Sequence, residues 1–185
     1  MHRLCLLIIF FSVRLLEVRA QNGDTGPVVP SVKSNPALVA TPGGAPLAHS
    51  PFKALNLDRL AANGHKESGI VDIVFTASNQ STRIASLAFS IDPALSKASD
   101  DFDTVYHFTQ LRFGATKSDS TSNAASVTTI ELRPDQALHC GFYIAGVPLT
   151  ARYIRKVVLF TTLRLDDVPQ GEDNIVLFNV PIIWK

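Results

Sequence analysis

The stretch Tyr153–Leu165, reading Tyr-Ile-Arg-Lys-Val-Val-Leu-Phe-Thr-Thr-Leu-Arg-Leu, constrains the fold more than any other part of the chain. It is rich in β-branched and aromatic residues, holds no Gly or Pro, and stops at Asp166-Asp167-Val168-Pro169-Gln170-Gly171. Its middle, Val157 to Phe160, is apolar on both alternating sets, the pattern of an interior strand covered on both faces. A helix would pair Val157-Val158 and Thr161-Thr162, whose branched side chains lose χ1 freedom there. The stretch reads as a central strand.

Six further runs are extended. In Ile70–Ala77 the residues Val71, Ile73, Phe75 and Ala77 face one way and Asp72 and Thr76 the other. Arg83–Ile91 sets Ala85, Leu87, Phe89 and Ile91 against Ser86 and Ser90, and Ser78-Asn79-Gln80-Ser81 joins these two runs as an expected hairpin. Thr104–Phe113 and Ser126–Arg133 follow, the second ending at a Pro134-Asp135 turn. Ala137–Ala145 places Leu138, Cys140, Phe142 and Ile144 together, and Asn174–Trp184 does the same for Val176, Phe178, Val180, Ile182 and Trp184. Pro181 cannot donate to a ladder, so that last strand lies at an edge or bends there. Extended runs with no long helices between them predict a mainly β fold over residues 69–185: an antiparallel two-sheet β-sandwich of about seven strands.

The preceding residues differ in kind. Met1–Ala20 carries His2-Arg3, the apolar run Leu4–Val13, and Val18-Arg19-Ala20, which together fit a cleaved signal peptide. The apolar run is well short of the roughly 20 residues that span a bilayer, so no membrane span is expected in the mature chain. Residues 21–50 hold Pro27, Pro30, Pro36, Pro42 and Pro46 with several glycines and no aromatic residue, the composition of a linker or pro-segment. Residues 51–68 suggest a short N-terminal helix and connection, with Ser50 as N-cap, Pro51 in the first turn, and Asn63-Gly64 as its close.

Charge excludes one class of partner. The chain has 17 basic and 16 acidic side chains; Met1–Ala20 takes Arg3, Arg14, Arg19 and Glu17, leaving 14 and 15 and a formal charge of −1. With no basic stripe, nucleic acid is not an expected partner. Cys5 lies in the signal peptide, so the mature chain keeps Cys140 alone and has no internal disulfide. Its two-residue companions Leu138, Phe142 and Ile144 put the thiol on the core face, buried and free.

Motifs for catalysis are missing from the sequence: no G-x-S-x-G elbow, H-E-x-x-H, C-x-x-C or P-loop, and none that implies a cofactor. His107 and His139 are the histidines inside the expected β domain, and alternation turns His139 away from Cys140. Asp100, Asp101 and Asp103, and separately Asp166, Asp167, Glu172 and Asp173, are candidate calcium ligands, because calcium takes six to eight oxygens and acidic loops supply them. Asn79-Gln80-Ser81 is an N-glycosylation sequon. Tyr106, Tyr143 and Tyr153 are candidates for a ligand platform, Tyr143 facing away from Phe142 and Ile144.

These features predict a secreted, extracellular, non-enzymatic module, a monomer or weak oligomer that binds a protein or glycan. The alternatives are a secreted hydrolase with a dispersed site and a structural or surface-coat component, the latter as a dimer linked through Cys140.

Overall fold

The alternation of the sequence becomes strands throughout the computed structural model, which describes residues 43–114 and 127–185. In chain order they are β1 (Leu47–His49), β2 (Leu55–His65), β3 (Ile70–Asn79), β4 (Ala85–Ser90), β5 (Lys97–Asp100), β6 (Val105–Tyr106), β7 (Phe108–Phe113), β8 (Val127–Leu132), β9 (Ala137–Ile144), β10 (Tyr153–Leu165) and β11 (Val168–Trp184). The expected signal peptide and the linker as far as residue 42 lie outside the described residues. Leu47–His49, near the end of the Pro/Gly-rich segment, pairs with β11.

β10 is interior, as its composition requires. β11 runs antiparallel along one side of it, while β5 and β4 share the other, β5 near Ile154–Val158 and β4 along Phe160–Leu165. β8 extends this sheet beyond β4. A second antiparallel set follows the order β2-β3-β9-β7. The two are continuous, because the end of β11 leaves β10 and pairs parallel with β2 through Ile182–Ala62, Ile183–Asn63 and Trp184–Gly64. Asn179, at φ 53°, bends the strand, and Pro181 lies just past the bend.

Eleven strands thus form one mixed, nearly closed sheet, and the expectation of a seven-strand antiparallel sandwich is corrected. Alternation reports which side chains point inward and nothing about partners, so a sheet curling round one core carries the same pattern as two packed sheets.

The expected helix over 51–68 is also corrected: among the described residues there is no helix. Ser50 Oγ accepts from Phe52 N at 3.2 Å and Leu55 N donates to Phe52 O at 3.0 Å, one tight turn before β2 begins. β2 carries a bulge between Asp58 and Ala61, with Arg59 at φ 53°. The bulge shifts the inward set from Leu55 and Leu57 to Ala62 and Gly64, and that broken parity imitated helical spacing. The expected hairpin of the first two runs does not form either. β3 pairs with β2 and β9, whereas β4 pairs with β10 and β8.

The core is aromatic at its centre. Phe142 is fully buried; its ring stacks on Phe75 at 5.6 Å and meets Phe89, Phe108 and Phe113 edge-on at 5.5, 5.6 and 6.3 Å. Pairs of this kind add about 0.5–1.5 kcal/mol each beyond the area they bury.

Candidate functional site

The polar cluster with most chemistry sits on the outer face of the second set of strands. There Asn63, Asp72, Tyr143 and Gln110 are successive cross-strand neighbours on β2, β3, β9 and β7. Each is one residue out of phase with a core position, so all four point away from the interior.

Asp72 is the unusual member. It is only 7% exposed although it lies on an outer face. Arg112 Nη2 reaches its Oδ2 at 3.3 Å, while Oδ1 is buried with no hydrogen-bond partner. Burial raises the Asp72 pKa above the ordinary carboxylate range, and Arg112, Tyr143 and His65 pull it back only in part. The Arg112 guanidinium also lies 5.7 Å from the centre of the Tyr143 ring. The tyrosine is therefore braced on an interior strand, and burial followed by the charge of Asp72 raises its pKa. Gly141, between Asp72 and Arg112, leaves room for this contact, since a Cβ there would lie 3.0 Å from Asp72 Oδ1.

Beside this cluster an open cleft of about 550 Å³ is floored by Tyr143, Gln110 and Ile70 and walled by His65, Lys66, Glu67, Ser68 and Lys185. The wall is the β2–β3 turn. Ser68 N and Gly69 N both donate to His65 O, Gly69 has φ 64°, and Val147 N ties the turn down by donating to Gly69 O at 3.0 Å. The end of β11 closes the other side: Lys185 N donates to Gly64 O at 2.9 Å and Lys66 N to Lys185 O at 3.2 Å.

Of the residues singled out in the sequence, Tyr143 alone lines this cleft. Tyr106 is buried and donates to Asp100 Oδ2 at 2.7 Å, and Tyr153 begins β10 on a different part of the sheet. Asp100 is fully buried and its Oδ1 accepts from Phe102 N and Thr104 N, so it shapes the β5–β6 turn. Asp101 accepts from Arg152 N, and Asp103 pairs with Arg155. Asp166 and Asp167, at φ 44° and 65°, are the two residues between the paired Leu165 and Val168, and the tight β10–β11 turn needs that backbone. Asp166 also pairs with Arg83 at 2.8 Å, which holds its carboxyl below the usual range. Glu172 and Asp173 lie along β11, where Asp173 Oδ1 accepts from Asn174 N. Among the described residues no three His, Cys, Asp or Glu side chains gather where one metal ion could be held.

Asn79 is fully buried. Its Nδ2 donates to Arg83 O at 2.7 Å and Leu132 O at 3.0 Å, and its Oδ1 accepts from Ser81 N and Oγ. A glycan on Nδ2 would take one of those donor hydrogens and displace a buried side chain. Cys140 is buried and free, and burial pushes its thiol up to about 12. His107 is exposed, and His139 Nδ1 lies 3.0 Å from Thr76 Oγ1. The sequence reading missed His65, Lys66 and Lys185. The first two fell in the expected helix and connection, and no local pattern links them to a residue at the far end of β11.

No known family model matches the chain, and no curated protein does. Among solved structures, two of a GH20 exo-β-N-acetylglucosaminidase from Vibrio harveyi align with it, one an inactive mutant and the other in complex with N-acetylglucosamine. Each covers 72% of this chain at 17% identity with a TM-score of 0.32, and the chain spans 18% of the enzyme's length. That likeness is too slight to carry fold or activity across. No described helix is long and apolar enough to cross a membrane.

Proposed function

We propose that this chain is a secreted binding module that takes a glycan in the cleft beside Tyr143. The observation that carries the proposal is the braced ring. Tyr143 stands on an interior strand, held by Arg112 and Asp72, and lines an open cleft with Gln110, His65 and Ser68 at its sides. A fixed aromatic ring offers a sugar an apolar surface, and amide, hydroxyl and imidazole groups around it offer hydrogen bonds to ring hydroxyls. Pre-organisation matters here because a ring already fixed in place loses little freedom on binding.

The cleft also holds Ser68 and His65 near Asp72, three residue types that hydrolases use. Their arrangement favours binding. Ser68 Oγ accepts from Ile70 N at 3.4 Å, and among the described residues no side-chain hydrogen bond joins the His65 imidazole to Ser68 Oγ or to Asp72. A coat component linked through Cys140 is not favoured, because that thiol lies in the core. Secretion belongs to the proposal and is supported by the pattern of Met1–Ala20.

The test is calorimetric titration of an oligosaccharide panel against the wild type, Tyr143→Ala and Tyr143→Phe. The proposal expects at least one member to bind, a loss of about ten-fold or more in Tyr143→Ala, and near-normal affinity in Tyr143→Phe, which keeps the ring. Binding untouched by Tyr143→Ala, or no binding by any sugar, overturns it.

A further inference from the structure

We infer that the cleft selects an acidic glycan, one bearing carboxylate or sulfate groups, recognised by Lys66 and Lys185. The inference rests on the reading of the cleft as a glycan site and adds the chemical class of its ligand.

The backbones of two lysines that are far apart in sequence are fixed side by side here. The parallel register pairs Trp184 with Gly64, Lys185 N then donates to Gly64 O, and Lys66 N donates to Lys185 O. Both lysines are exposed and both line the cleft. The three ion pairs of the described residues, Arg83–Asp166, Arg112–Asp72 and Arg155–Asp103, all use arginines, so neither lysine forms an ion pair with a described residue. Glu67 is the one acidic side chain in the lining. Asp72, nearby, is turned toward Arg112 and buried.

An anion in the cleft can be met by both lysine side chains at once, and each like charge it neutralises lowers their mutual repulsion. The concentration is local, since the whole chain is close to neutral with 17 basic and 16 acidic side chains. Bulk attraction would not produce such a site. The geometry instead separates two tasks: Tyr143 and Gln110 meet the sugar ring, and the ammonium groups of the two lysines on the cleft wall meet its acidic substituent.

The experiment titrates the full chain with a polyuronate hexasaccharide, a sulfated hexasaccharide, a neutral glucan hexasaccharide and a poly-glutamate peptide, at 50 and 200 mM salt. The expected result is binding of an acidic sugar about ten-fold or more tighter than the neutral one, weakening as salt rises. Lys66→Gln with Lys185→Gln should abolish that preference by weakening the acidic sugars far more than the neutral one, with the melting temperature unchanged. Equal affinity for neutral and acidic sugars overturns the charge inference and leaves the glycan reading standing. Absence of binding by every sugar overturns both. Poly-glutamate binding as tightly as the acidic sugars overturns the assignment to glycans.

Discussion

Gly64 lies directly against the face of the Trp184 indole: a Cβ on Gly64 would sit 2.3 Å from Trp184 Cε3 and 2.7 Å from Cδ2 and Cζ3. The indole is held in that position by its Nε1, which donates to Ala151 O at 2.9 Å. This contact locks the end of β11 onto β2 and so places Lys185 at the cleft. Gly64→Ala should therefore cost about 1–3 kcal/mol in urea unfolding, the usual penalty for overpacking, and should also weaken any ligand held at Lys185.

The aromatic centre gives the largest expected loss. Phe142 is fully buried and meets four other phenylalanine rings. Truncation in Phe142→Ala should destabilise the domain by about 3–5 kcal/mol in denaturant titration. Phe142→Leu, which fills much of the space, should cost less.

Asn79 should carry no glycan in the folded protein. Expression through a eukaryotic secretory pathway and intact-mass measurement should show the unmodified mass. Asn79→Ala removes the Nδ2 bonds to the Arg83 and Leu132 carbonyls and the Oδ1 bonds from Ser81, while Ser81 Oγ still donates to Arg83 O, so it should cost about 1–3 kcal/mol. Sequence alone made this residue a surface turn, whereas the side chain is what holds the turn to β8.

Alkaline pH should unfold the domain by a defined route. Burial pushes Cys140 from 9.0 up to about 12, and burial followed by the Asp100 hydrogen bond pushes Tyr106 from 10.0 up to about 12. Both groups keep their proton in the folded state at pH values where the unfolded chain has released it. The folded state then binds more protons, and stability falls as pH rises from about 9 toward 12. Denaturant midpoints measured from pH 8 to 11 should decline. Cys140→Ala should flatten the first part of that decline, and the native thiol should react with a disulfide reagent only as fast as the domain opens.

How much of this was legible follows from how local each signal is. β10 and the inward sets of β3, β4 and β9 were readable, because alternation records burial directly. β2 was hidden by its bulge at Arg59, which breaks parity midway. β5 was hidden because one of its inward residues, Asp100, is a buried carboxylate satisfied by its own turn and by Tyr106, so the run looks polar. The acids at 166 and 167 looked like metal ligands, but their backbone angles show that a two-residue turn is what requires them. The cleft was least legible. Tyr143 was visible as an outward aromatic residue, but its brace on Arg112 and the meeting of Lys66 with Lys185 depend on strand order, which alternation does not record.

Where a ligand sits on the sheet is reported residue by residue by amide chemical shifts. Titrating ¹⁵N-labelled protein with an acidic oligosaccharide should move the signals of His65, Lys66, Ser68, Gln110, Tyr143 and Lys185 together along one binding curve. Shifts confined to the outer face of β10 and β11, or no shifts at saturating sugar, would contradict a site in the cleft.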